Sequence, residues 1–188
     1  QYWNNLKKPK ERFIAFEGAY HGDTFGSMCL TARGGFNEPF EKFMFDVDFI
    51  PRPNGNNNKE VISKFKKLIQ KDDVSAFIFE PILQGASGMN IYNSEVLSEL
   101  VLIANKANVI TIADEVFTGF GRTGTWFAID QLTSKPDIIC LSKALTGGFL
   151  PLGLTVVSQK IFDGFYSDEP KHTFLHGHSY TGSPLCCA

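Results

Sequence analysis

Pro136-Asp137-Ile138-Ile139-Cys140-Leu141-Ser142-Lys143-Ala144-Leu145-Thr146-Gly147-Gly148 is an apolar run that delivers one lysine to its end and then turns through a glycine pair. Upstream, Val109-Ile110-Thr111-Ile112-Ala113 closes in the same manner, on Asp114-Glu115. Near-continuous apolar runs, as opposed to alternating ones, read as strands covered on both faces. The same reading holds for Arg12–Phe16, 46–50, Val74–Phe79 and Leu154–Val157. Helical stretches separate them. Residues 59–70 place Val61, Ile62, Phe65, Leu68 and Ile69 on one face, and 93–107 do the same with Val96, Leu97, Leu100, Val101 and Ala104, with Asn93 or Ser94 as cap. Strand and helix in alternation predict an α/β three-layer domain, a mainly parallel sheet flanked by helices. In such sheets ligands gather at the carboxyl ends of the strands. Glu80, Asp114 and Lys143 all fall there.

The bulk properties narrow the function classes. A chain of 188 residues, 43% of them hydrophobic, can bury one sizeable core. A net charge of -2 and a pI near 6.1 give no reason to expect nucleic acid or an anionic membrane as partner. No apolar run approaches the length of a membrane span, and Gln1-Tyr2-Trp3-Asn4-Asn5 lacks the form of a signal peptide. Cys29, Cys140, Cys186 and Cys187 have no metal-ligand spacing, so they read as reduced thiols of a cytoplasmic protein. His172, His176 and His178 lie close together, but their surroundings match another pattern, and no metal site is expected.

A lysine and a carboxylate, each at the end of its own buried strand, meet the needs of a pyridoxal 5'-phosphate (PLP) site. The lysine forms a Schiff base with the cofactor, and the carboxylate pairs with the protonated pyridine nitrogen. Taken alone, each signal has a plainer reading: a lysine after a strand is ordinarily solvated, and Asp114 could order a loop or cap a helix. The order of the segments is what matters. Tyr20-His21-Gly22, Glu80-Pro81, Asp114-Glu115, Gly119-Phe120-Gly121-Arg122-Thr123-Gly124 and Lys143 together resemble the class III (omega-amino acid type) aminotransferases of PLP fold type I. The resemblance runs from about Arg12 to the C-terminus.

The resemblance implies PLP as cofactor, a small-molecule amino donor and keto acceptor, and a homodimer. It makes Lys143 the catalytic residue. Tyr20 would stack on one face of the cofactor ring and Val116 pack on the other, with Asp114 at the ring nitrogen. His21 is either a general base or a hydrogen-bonded structural histidine beside the cofactor. Ser179, in His176-Gly177-His178-Ser179-Tyr180-Thr181-Gly182-Ser183-Pro184, stands where the family's threonine binds the phosphate of the neighbouring subunit. Ser183 replaces the family's usual Asn. Asp23, Arg122 and Gly177 would lie on the substrate side, although Asp23 could also cap the next helix and Arg122 be a structural contact. Glu80 and Gln84 match the Glu-Pro-Ile-x-Gln-Gly pattern, Gln84 near the cofactor's ring oxygen and Glu80 with a structural ion pair as its alternative. Residues 1–188 are expected to form the central part of the PLP-binding large domain, without the N-terminal region, its phosphate cradle or the C-terminal small domain. Residues 20–28 and 143–148 resemble the branch that passes an amino group from S-adenosylmethionine to 7-keto-8-aminopelargonate in biotin synthesis. The acetylornithine, ornithine and 4-aminobutyrate types are the alternative. A non-catalytic scaffold is the remaining one, and it would have no need of Lys143, Asp114 and Tyr20 together.

Overall fold

The computed structural model describes residues 1–35 and 37–188. A short helix α1 (Tyr2–Asn5) leads into strand β1 (Arg12–Phe16) and helix α2 (Phe25–Leu30). Strand β2 (Val47–Ile50), helix α3 (Asn58–Leu68) and strand β3 (Val74–Phe79) follow. A small antiparallel pair, β4 (Leu83–Gln84) and β5 (Asn90–Ile91), precedes helix α4 (Ser94–Lys106). Strands β6 (Ile110–Asp114), β7 (Ile138–Leu141) and β8 (Leu154–Val157), helix α5 (Gln159–Asp163) and a terminal turn α6 (Pro184–Cys187) complete the order.

The main sheet runs β2-β1-β3-β6-β7-β8. All neighbours are parallel except β7 and β8. The apolar faces read from the sequence explain its two coverings. Val61 and Phe65 of α3 and Leu97, Leu100, Val101 and Ala104 of α4 pack with Ile14, Phe16, Phe77 and Phe79 from the strands. On the opposite face Trp3 and Ile161, from α1 and α5, pack with Ala76 and Ile110. Successive residues of a strand point to opposite faces, so β3 feeds both cores and is buried along its whole length. The three-layer α/β architecture expected from the sequence is the one observed.

β8 departs from expectation. Its apolar residues are exposed throughout, although the run reads like that of a covered strand. The strand lies at the end of the sheet and pairs antiparallel with β7 alone, so hydropathy reported its composition and not its cover.

Candidate active site

The carboxyl ends of β1, β3, β6 and β7 are adjacent in the sheet and point one way. The segments leaving them carry Tyr20 and His21, Glu80, Asp114 and Val116, and Lys143. These residues, with Gly22, Ala86 and Phe117, line a cavity of about 210 Å³. Residues as far apart in sequence as Tyr20 and Lys143 thus share one wall because parallel strands end on the same side.

Each group is held by its neighbours. Asp114, the last residue of β6, accepts from the Val116 N–H at 3.1 Å through Oδ1. Its Oδ2 lies 2.7 Å from His21 Nδ1. The His21 side chain is only 1% exposed, so this bond is shielded from bulk water. Of the two readings of His21, the geometry fits the hydrogen-bonded structural one. Gly22 has φ of +114°, a backbone that favours glycine, which lets the chain turn away immediately after His21. Lys143 follows β7 by way of Ser142, whose hydroxyl donates to the Leu152 carbonyl at 2.6 Å. Its side chain reaches Phe117, with Nζ 5.3 Å from the ring centroid.

Burial and the Asp114 charge raise the pKa of Glu80, against the Gly85 N–H that Oε1 accepts at 3.0 Å and the Tyr20 backbone N–H. Glu80 forms no ion pair among the described residues. The Cys140 thiol, opposite Asp114 in the β6–β7 register, is pushed up to about 11 by burial and by the Asp114 charge. Partial burial and the facing Asp23 carboxylate raise the Tyr20 hydroxyl.

Other expected site residues lie off the cavity. Asp23 faces Tyr20 and gives no side-chain cap to α2, whose N-cap is Thr24. Arg122 stands behind the wall, 4.6 Å over the Phe117 ring. Gln84 is buried, but its amide donates to the Glu17 carbonyl at 3.2 Å instead of lining the cavity. Gly177 and Ser179 are exposed and outside it; their neighbours His178 and Tyr180 edge a separate cavity with Ser142 and Gly153. Among the described residues no His, Cys, Asp and Glu cluster could hold a metal ion.

Two residues had no part in the expected site. Phe117 lines the cavity between Lys143 and Arg122, and a Cβ on Gly85 would come within 2.8 Å of its ring. Its signal was its place, a large ring three residues after the Asp114 carboxylate. Glu115 is fully buried and takes hydrogen bonds from the Thr118 hydroxyl and the Ala128 and Ile129 N–H groups. It ties the Gly119–Gly124 glycine loop to the sheet, which explains the carboxylate pair: Asp114 faces the cavity and Glu115 the interior.

The donor set tests well against PLP: an amine, a carboxylate fixed by two hydrogen bonds, and a tyrosine and a valine in one cavity. The chain belongs to the class III aminotransferase family, whose pattern matches residues 1–188 and whose members depend on PLP. It is 50% identical over 196 aligned positions to the adenosylmethionine-8-amino-7-oxononanoate aminotransferase of Synechococcus elongatus, covering 100% of this chain and 46% of that enzyme. The crystal structure of the enzyme of that name from Methanocaldococcus jannaschii superposes with a TM-score of 0.91 at 34% identity, over 99% of this chain and 44% of that one. An amine transaminase from an uncultivated Pseudomonas species, solved in its PLP-bound form, superposes with a TM-score of 0.92 at 28% identity, over 99% of this chain and 45% of that one. The chain therefore spans about half the length of these relatives.

Proposed function

We propose that the protein carrying this chain is a PLP-dependent aminotransferase that moves an amino group from S-adenosylmethionine to 7-keto-8-aminopelargonate in biotin synthesis, a donor and acceptor that agree with the names of its relatives. The observation that carries the reading is the cavity in which Lys143, Asp114, Tyr20 and Val116 meet. When bound, the cofactor supplies an aldehyde that condenses with amines and a pyridinium ring that accepts electrons from the adjoining carbon. Lys143 would hold that aldehyde, and its Nζ, once free, would be the base that carries a proton between neighbouring carbons of the reacting group. Asp114, oriented by His21 and the Val116 N–H, would pair with the ring nitrogen. Tyr20 and Val116 would hold the ring faces and keep water off them. Asp23, beside the Tyr20 hydroxyl, is placed to meet a substrate ammonium, while Arg122 and Gly177, off the cavity of this chain, would meet the substrate only further out.

Ser179 lies outside the cavity of its own chain, which agrees with a hydroxyl offered to the phosphate in the partner of a homodimer. A cytoplasmic location agrees with four free cysteines. No helix in the described residues is long and apolar enough to cross a membrane.

The test is borohydride reduction of the full-length holoprotein with peptide mapping, followed by single-turnover absorbance with S-adenosylmethionine. A phosphopyridoxyl group confined to Lys143, and conversion of bound pyridoxal to the pyridoxamine form by that donor, are expected. An unlabelled Lys143 in folded holoprotein overturns the cofactor assignment. Conversion by glutamate with none by S-adenosylmethionine moves the protein to an acetylornithine, ornithine or 4-aminobutyrate type.

A further inference from the structure

Behind the cavity the chain buries more polar atoms than it pairs. His21 Nε2, Glu80 Oε2, Gln84 Oε1 and Tyr92 OH are buried there without a partner within the described residues. His21 and Glu80 both line the cavity, and Glu80 responds to the charge of Asp114. Tyr92, the other titratable group facing Glu80, responds to Glu80, Arg52 and Asp114. Native proteins leave few such atoms unsatisfied, and an internal water is the usual bridge where several polar partners converge.

The bonds already made restrict what that bridge can be. Asp114, acting as a carboxylate, only accepts, so the 2.7 Å bond to His21 requires the imidazole proton on Nδ1. In the neutral ring His21 Nε2 is then an acceptor and calls for a donor opposite it. Glu80 has Oε1 committed to the Gly85 N–H, which leaves Oε2 free. A water held at Oε2 has a second O–H to give to His21 Nε2.

We propose that Glu80 is a positioning residue for the cofactor-site carboxylate: its Oε2 anchors one internal water that donates to His21 Nε2, fixing the Nδ1–H tautomer that holds Asp114 in place. The chain of contacts runs Glu80, water, His21, Asp114, and ends at the cavity where Lys143 stands. Its bearing on catalysis rests on Asp114 meeting the cofactor ring nitrogen, as proposed above. The tautomer itself is a property of the protein with or without cofactor.

The experiment uses full-length protein labelled with nitrogen-15 at histidine, with His21 assigned by its loss in His21→Gln. Long-range proton–nitrogen spectra are recorded with cofactor removed and restored, alongside the pH midpoint of cofactor absorbance. Wild type is expected to carry its proton on Nδ1. Glu80→Gln keeps an acceptor for Gly85 and an amide donor, and should keep the tautomer. Glu80→Met keeps the volume without the polar anchor for the water, and should move the tautomer ratio about tenfold toward Nε2–H and displace the absorbance midpoint. A wild-type His21 protonated on Nε2 alone overturns the proposal, whatever the variants do. So does a folded Glu80→Met protein with the wild-type tautomer and midpoint, or a Glu80→Gln protein that loses the tautomer as Glu80→Met does. Failure of wild type to hold PLP at Lys143 would instead remove the proposed function, and the cofactor-free spectra would still decide the role of Glu80.

Discussion

Lys143 has φ of +47°, a left-handed backbone that a residue with a side chain keeps only where its surroundings impose it. Here β7 ends one residue before Ser142, whose hydroxyl is tied to Leu152, and Gly147 and Gly148 turn the chain behind. The local geometry thus aims the amine at the cavity instead of along the strand. Lys143→Ala is expected to abolish borohydride labelling by PLP while leaving the far-ultraviolet circular dichroism unchanged. Asp114→Asn should retain the lysine linkage and slow the half-reaction roughly 10²–10³-fold, the range for loss of one preorganised charge partner, as read by stopped-flow absorbance. Glu80 makes a separate prediction on stability. Its folded-state pKa lies above its ordinary value of 4.5, so its contribution is fully present below that pH and is lost as pH rises through the folded value. Glu80→Gln should therefore flatten the fall of Tm with rising pH above about 4.5.

At the scale of elements, the sequence was most legible where apolar spacing was long and regular. α4 was expected over 93–107 and occupies Ser94–Lys106, with the Asn93 side chain accepting from the Glu95 N–H at 2.6 Å. Asn93→Ala should cost about 0.5–2 kcal/mol in urea unfolding. The β4–β5 pair was not foreseen, because two-residue strands carry no measurable alternation. That pair delivers Gly85, whose missing side chain makes room for Phe117. Gly85→Ala should push the Phe117 ring, destabilise by about 1–3 kcal/mol and weaken PLP retention, with Phe117→Ala restoring much of the loss. Partial rescue in the double variant is the decisive observation, since two independent sites would simply add.

Across the whole molecule, apolar side chains are left outside both cores. Phe149, Leu175, Tyr180 and Leu185 are each at least 75% exposed, and β8 presents an open edge beside them. Exposed edges and apolar patches of this kind promote association. Residues 1–188 produced alone should scatter light and bind a hydrophobic dye more strongly than the full-length protein does. The sequence by itself determined the strands, the amphipathic helices, the three-layer class, and the placing of Lys143, Asp114 and Glu80 at strand ends. Those features follow from local periodicity, which the covalent order carries directly. Only the tertiary structure decided the antiparallel pairing and exposure of β8, the Phe117 wall, the division of labour between Asp114 and Glu115, and the His21–Asp114 bond. That last contact joins residues 93 apart. Its partners are chosen by which strands lie side by side, and no local pattern records that choice.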